Sequence, residues 1–442
     1  MKITYISIIC AAVALGCIGE PSQVMAKESN KTKAPAYEEP AQNEIRLSDA
    51  IDKALQASPR LQSAQAGLGA AKGTEQQAGY LPNPEISVEA ENIAGQNQYE
   101  GFDSAEVTYG VSQQIEIGGK RSARKNIASK SSTLAGLELE SARLNLIRDT
   151  MINYADAVAA QEQVKLAREQ KKQAAEVLEN VTQRVNAAAD PLYQKSKADV
   201  AYSTSLIALD KAEREYNVAK SKLSALWGEE NTSFSLNSAD FFEISVPDEF
   251  ESINESLKNN PDYLRGDAEF DRSKAALSLE RANAIPDPKV NVGVRDFREG
   301  GKQAFVVGVS LPIPVLNRNQ GNIAKVQHEI ARTSANRQAE RIDLTTSLNS
   351  NWQELQNAYK QAKSLKSSII PSAEKAFSLA RQGYKAGKFP YLEVLDAQRT
   401  LAETREQYIT TLRQYHSNKA EVERLTAKHI GNKQGVSDEE KK

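Results

Sequence analysis

Two acidic residues stand three apart in Leu392-Glu393-Val394-Leu395-Asp396-Ala397. On a helix this spacing puts both carboxylates on one face, one turn apart. Taken alone, such a pair reads as a solvated helix face. Metal chemistry is poorly supplied. The histidines are His328, His416 and His429, none at helical spacing from another, and both cysteines, Cys10 and Cys17, fall near the N-terminus. A dedicated soft-metal site is therefore not expected. His328-Glu329 is followed by Arg332 where a zinc-protease motif needs its second histidine. Gly118-Gly119-Lys120-Arg121 fails as a phosphate loop, because Gln114 sits at the first glycine position and Arg121 replaces Ser or Thr. It reads instead as a tight turn from strand to helix, with basic residues near lipid headgroups. No nucleophile, base and orienting group can be assembled, so neither an enzyme nor a cofactor is expected.

The elements that would carry these residues are mostly helical, and four short segments are not. In Ala105 to Gly119, the residues Ala105, Val107, Tyr109, Val111, Ile115 and Ile117 alternate with Glu106, Thr108, Gly110, Ser112, Gln114 and Glu116. A period of two means a strand with one apolar and one polar face. Ile86, Val88 and Ala90 alternate likewise, as do Val290, Val292 and Val294, and then Phe305, Val307, Val309, Leu311 and Ile313.

Between the strand pairs lie long helices. From Ser122 to Arg184 there is no proline and only Gly136, a rod of roughly 95 Å. Leu137, Leu144, Ile147, Met151, Tyr154 and Val158 step at heptad spacing along it. Asp190-Pro191 breaks the rod, and Leu192 to Trp227 returns. A second rod from Asn322 to Gly383 is expected to kink at Pro371, turn at Gly387 to Pro390 and return from Tyr391 to Lys428. Leu81-Pro82-Asn83-Pro84 is matched by Ile285-Pro286-Asp287-Pro288, Pro390 follows Pro191 by 199 residues, and Gly308 follows Gly110 by 198. The unit is duplicated.

The expected organisation is a signal peptide over 1–26, a loose leader over 27–43, a first repeat over 44–228 and a connector over 229–250. A second repeat over 251–430 and a tail over 431–442 complete it. Strands are expected near 84–92, 105–118, 288–297 and 304–313, with hairpins over 122–227 and 322–428. Ser48 is the expected cap of the first helix. Ala14-Leu15-Gly16-Cys17 is a poor lipobox and offers lipidation of Cys17 as an alternative to cleavage after Ala26. Fifty-six basic and 58 acidic residues leave a net charge of -2, which argues for no nucleic acid. The fold class is mainly α with a small β part. If the apolar strand faces meet lipid, no edge can stay open, and the smallest closed barrels need about eight strands. One chain has four, so three copies would give twelve, above a tube of helical hairpins. A soluble periplasmic coiled-coil scaffold is the rival reading.

With these motifs in hand, the chain resembles the TolC-like outer-membrane efflux family from about Ile45 to Leu425. Leu81-Pro82-Asn83-Pro84-Glu85-Ile86-Ser87-Val88 and Val111-Ser112-Gln113-Gln114-Ile115-Glu116-Ile117-Gly118-Gly119-Lys120-Arg121 resemble its heavy-metal branch, as does Leu311 through Ile323. The resemblance implies a homotrimer with a twelve-stranded barrel in the outer-membrane lipid of a Gram-negative bacterium and an α-barrel in the periplasm. It also implies a periplasmic adaptor and an inner-membrane resistance-nodulation-division pump as partners, with the channel passive. Drug efflux or type I secretion by the same channel is an alternative. The tips Asp190-Pro191 and Gly387-Lys388-Phe389-Pro390 would gate the channel and meet the adaptor, and Glu393 and Asp396 would form stacked acidic rings. That family's tip arginine falls at Phe389 here, so closure is expected to rest on apolar packing.

Overall fold

The computed structural model describes residues 44–429 except 231. The expected signal peptide, Cys17, leader and tail lie outside the described residues.

The chain opens with β1 (Glu44–Ile45), α1 (Leu47–Ala57) and α2 (Pro59–Ala78). Ser48 does not cap α1 but lies within it. The Asp49 carboxylate instead accepts from the Arg46 N–H at 3.1 Å, so the cap is one turn-closing pair earlier. Strands β2 (Glu85–Glu91) and β3 (Glu106–Gln114) follow, then the hairpin α3 (Lys120–Asn186) and α4 (Leu192–Ser224). The stretch expected to be an irregular connector contains β4 (Ser235–Leu236), which pairs in parallel with β1, and α5 (Phe250–Ser256) begins at its end. Two-residue strands have no period to read. The second half repeats the plan with α6 (Pro261–Asn283), β5 (Lys289–Phe297), β6 (Lys302–Ser310), α7 (Gln320–Ser364), α8 (Ile370–Lys385) and α9 (Tyr391–Leu425). Proline heads both α2 and α6, where its missing N–H costs nothing. Asn260 accepts from the Asp262 N–H at 2.8 Å and donates to the carbonyls of Arg424 and Leu425, tying the start of the second half to the end of α9.

Pro371 does not simply kink one long helix. A π-helical turn over Leu365–Ile369 separates α7 from α8, with Pro371 in the first turn of α8. The wider turn relieves the clash between the proline ring and the preceding turn and accommodates the carbonyl that proline cannot satisfy. The first hairpin has no such break, since α3 runs 67 residues, about 100 Å.

Heptad positions Leu144, Ile147, Met151, Tyr154 and Val158 are buried. Around them Ala50, Leu146, Leu223, Trp227, Phe241, Leu365 and Leu412 form the main core. Tyr154 donates to the carbonyls of Ile45 or Asn237, at 3.0 and 2.8 Å, and so holds the β1–β4 pair on α3. The return helix α4 buries few of its residues. Leu206 is 38% exposed, and only Ala198, Ala212, Leu223 and Ser224 are buried. Its main neighbour in the chain is α3, so one side of it is left uncovered.

The four long strands form one antiparallel sheet in the order β2-β3-β5-β6, with Glu85 opposite Ser112, Gln114 opposite Lys289, and Lys289 opposite Ser310. Its two faces differ sharply. Ile86 is 83% exposed and Phe305 90%, whereas Thr108 and Ser112 on the polar face are buried. On that face Arg295 donates to Thr108 Oγ1 at 3.0 Å and pairs with Glu106 and Glu91, each at 2.9 Å. Gly293 stands opposite Gly110, and a Cβ on Gly293 would lie 2.6 Å from the Tyr109 carbonyl oxygen, so only glycine lets β3 and β5 approach there.

Strand β3 ends at Gln114 rather than near 118, and β6 at Ser310 rather than near 313. The alternation outlasts the ladder. Ile115 still donates to the Pro288 carbonyl at 2.9 Å, but the Ile117 N–H goes to the Asp287 carboxylate at 3.0 Å. Gly118 and Gly119, at φ of 70° and 74°, then swing the chain into α3. Glu116 is therefore not a strand residue facing water, because its carboxylate is paired with Arg124 at 2.5 Å. Nor do the basic residues of this turn reach for headgroups. Lys120 pairs with Asp287 at 2.8 Å, and Arg121 donates to the Gly79 carbonyl at 2.6 Å. Burial works against charge on Asp287, yet bonds from Lys120, Ile117 and Gln114 outweigh it and hold the carboxyl below its usual range.

Replacing Asp287 with Ala would strand Lys120 and the Ile117 N–H. A loss of about 1–3 kcal/mol is expected, read as an earlier midpoint in chemical unfolding of the detergent-solubilised protein, with Asp287→Asn retaining part of it.

Candidate functional site

The residues expected to gate a channel lie at the far end of the hairpins from the sheet. At the first tip the Ala187 and Ala189 N–H groups bond back to Gln183 and Arg184, and Ala188 takes a left-handed φ of 56° before Asp190 and Pro191 start α4. At the second, Gly387 takes φ of 69°, the Lys388 N–H donates to the Gly383 carbonyl at 2.8 Å, and Pro390 precedes α9. The two turns follow one pattern of helix termination.

Phe389 folds onto its own hairpin. A Cβ at Gly383 would lie 2.2 Å from the Phe389 ring, so the ring occupies the space that glycine leaves. Lys388 is exposed. The residue expected in place of an arginine thus packs its own turn.

An arginine nevertheless stands at the tips, supplied by the other hairpin. Arg184, near the end of α3, grips Asp190 through Nε at 2.7 Å and Nη2 at 3.3 Å. Tyr384, at the end of α8, donates its hydroxyl to the same carboxylate at 2.7 Å, and the guanidinium lies 4.9 Å from the Tyr384 ring centre. Asp190 therefore fastens one hairpin to the other. The Arg184 hydrogen bond holds its carboxyl below the ordinary range, while burial and the Asp190 charge push the Tyr384 hydroxyl up. Beneath this cluster Tyr384 and Tyr391 pack 5.8 Å apart with Val181, Ala198, Phe377 and Val394. Tyr391 is 2% exposed with its hydroxyl unpartnered, and burial alone pushes it up to about 12.

Arg184 and Tyr384 were not singled out in the sequence. The available signal was that Arg184 and Asp190 flank one turn six residues apart, which a helix-to-turn reversal can fold together.

Glu393 and Asp396 do share a face. Both are exposed on α9 and border a cavity of about 480 Å³ whose other wall is Ala373, Ala376 and Leu379 of α8, with Phe389 at its end. Neither carboxylate takes a hydrogen bond or ion pair among the described residues. Two of the three histidines are held in place locally. His416 Nε2 is 2.9 Å from the Phe241 carbonyl oxygen with its ring stacked on Phe241, and His429 pairs with Glu423 at 3.0 Å. No group of three metal-ligating side chains occurs among the described residues, nor does any helix there long and apolar enough to cross a membrane.

Two exposed-apolar strand pairs, two long hairpins and paired tips are the parts of a channel subunit, and comparison with known proteins decides which. The profile of the family described as "Outer membrane efflux protein" matches twice, over residues 50–229 and 252–428. The chain belongs to that family. The double match also marks its internal duplication. The cobalt-zinc-cadmium resistance protein CzcC of Cupriavidus metallidurans is 30% identical over 402 residues, covering 91% of this chain and 94% of that protein. The nickel-cobalt-cadmium resistance protein NccC of Alcaligenes xylosoxydans xylosoxydans is 25% identical over 328 residues, covering 74% of this chain and 72% of that protein. In fold, the chain is similar to the outer membrane protein VceC of Vibrio cholerae, with a TM-score of 0.73 at 18% identity over 86% of this chain and 95% of that one. This outer-membrane efflux protein is thus a transport component and not an enzyme.

The Asp190 cluster predicts an acid-labile contact between hairpins. Because the carboxyl is held low, the contact persists at neutral pH and is lost only as pH falls through that lowered value. Tyr384→Phe should remove the cross-hairpin bond at every pH and raise single-channel conductance in a planar bilayer at neutral pH, with the acid-induced rise correspondingly smaller.

Proposed function

We propose that the chain forms a homotrimeric, passive conduit through the outer membrane and periplasm for export of heavy-metal cations. In this role it docks at its tips to a periplasmic adaptor and an inner-membrane pump of the resistance-nodulation-division class. The observation that carries the reading is the sheet. Its exposed face is apolar from Ile86 to Val309, its other face is polar, and both of its outer edges lack a strand neighbour among the described residues. Four strands from each of three copies make twelve, enough to close a barrel with lipid outside and water within. The metal cargo is supported by relatives named for cobalt, zinc, cadmium and nickel resistance.

A conduit needs to attract its cargo without holding it. Glu393 and Asp396 suit that task, being unpaired carboxylates just past the second tip and remote from any cluster of further ligands. Repeated around a threefold axis, they would form two anionic rings where the hairpins narrow. Glu393→Ala with Asp396→Ala is expected to lower the cation-over-anion permeability ratio in planar bilayers several-fold. An unchanged ratio would remove the rings and leave the conduit standing.

Cargo is tested in cells. Deletion of the gene should sensitise the host to cobalt, zinc or cadmium salts, with restoration by the intact chain. Sensitisation to dyes or antibiotics, with metal tolerance untouched, would overturn the metal assignment. Recovery of the protein in a detergent-free periplasmic extract would overturn the channel.

A further inference from the structure

On the polar face of the sheet every carboxylate but one has a cation beside it. At the end nearest the helices Glu85 pairs with Lys289 at 2.5 Å. Toward the loop end Glu91 and Glu106 stand opposite one another and share Arg295, whose guanidinium lies 2.9 Å from each and also donates to Thr108. Asn92 adds a bond to Glu106 at 3.1 Å. The exception is Glu89.

Its position explains why it is left over. Glu89 stands opposite Thr108, and Arg295 lies on the far side of Thr108 in the same row. That guanidinium is already engaged by Glu91 and Glu106, one row nearer the loops. In the row toward the helices the neighbours are Ser87, Gly110 and Gly293, whose side chains are absent or too short to reach a carboxylate. Glu89 is exposed and takes no hydrogen bond or ion pair among the described residues. The open edge of β2 offers it nothing either. In a shared barrel the strand beyond that edge is β6 of another copy, whose polar-face residues Ala304, Val306, Gly308 and Ser310 carry no charge. Lys302 alone is cationic there, at the first position of β6 beside the turn.

Resting on the reading of the sheet as one third of a shared barrel, we propose that Glu89 is a specificity-determining residue of the conduit. One copy from each chain forms an anionic girdle inside the barrel, which draws hydrated divalent cations through its outer part. A paired charge has its field cancelled by its partner within a few ångströms, whereas an unpaired one acts over a screening length of about 8 Å at physiological salt. Glu89 lies four residues beyond Glu85 along β2, about 13 Å at strand rise, and so inside the wall rather than at its helical rim. With no second ligand next to it in its own copy, it attracts a cation without chelating it. It is also remote from Glu393 and Asp396, which sit at the other end of the hairpins. The conduit then discriminates by charge at two separate places.

Reversal potentials of the full-length protein in planar bilayers under a potassium chloride gradient test this. Glu89→Gln should lower the cation-over-anion permeability ratio several-fold, in the E393A/D396A protein as well as in the unaltered one, and the drop should shrink as salt is raised. Glu85→Gln with Lys289→Gln removes a charge pair from the same wall and should leave the ratio unchanged. In E89C protein, modification by an anionic methanethiosulfonate sulfonate should restore the ratio, while the cationic trimethylammonium reagent should depress it further; the unsubstituted chain given both reagents supplies the background. An E89Q ratio equal to that of the unaltered protein, or E89C channels indifferent to both reagents, would overturn the assignment and spare the conduit. A ratio shifted equally by loss of the Glu85–Lys289 pair would overturn the argument from pairing. Unaltered protein that forms no conducting channels would sink the conduit itself.

Discussion

A peptide group facing hydrocarbon has no water to bond, so every N–H and C=O in a membrane-spanning sheet must find a strand neighbour. The sheet in this chain satisfies that demand at three interfaces and leaves it open at two edges, β2 and β6. Most of the architecture follows from closing them. A sheet too narrow to close alone must be shared, and sharing around an axis places the two hairpins of each copy side by side in a ring. The uncovered side of α4 is what such a ring would use.

Within that constraint the duplicated halves have diverged where they do different work. The first carries an unbroken helix of 67 residues, and the second interrupts its counterpart with a π-helical turn ahead of Pro371. An Asp287 hub with Lys120 locks the junction inside the chain, whereas Asn83 occupies the equivalent place at the outer edge. At the tips, one half supplies Arg184 and Asp190 and the other supplies Tyr384, so the halves are joined by a contact neither could make alone. Apolar packing of Phe389 on Gly383 shapes the second tip, while the hairpins are joined by this polar cluster and by the apolar contacts of Val181 and Ala198 with Phe377, Tyr384 and Val394 beneath it.

The chemistry of the chain is correspondingly spare. Its histidines His416 and His429 are held by a backbone carbonyl and a carboxylate, none joins a group of three metal-ligating side chains among the described residues, and its unpaired acids at the second tip are two per copy. In the proposed trimer such a surface would concentrate cations in a narrow bore without trapping them. Selectivity among cargoes then belongs to whatever loads the conduit.

Sequence alone determined the features that repeat. Alternation along Val107, Tyr109 and Val111, heptads along Leu144 to Val158, and the twin Leu81-Pro82-Asn83-Pro84 and Ile285-Pro286-Asp287-Pro288 breaks are local signals, because side-chain period and proline geometry act over a few residues. Tertiary structure decided whatever depends on a distant partner. Alternation continues through Ile117, but the strand stops at Gln114, because beyond the Ile115 bond to Pro288 the Ile117 N–H goes to the side chain of Asp287, far away in the chain. The β1–β4 pair is too short to have a period. Tyr384 reaches the Arg184–Asp190 pair only because two hairpins lie side by side, and a hydrogen bond between residues 194 positions apart leaves no periodic trace in the chain.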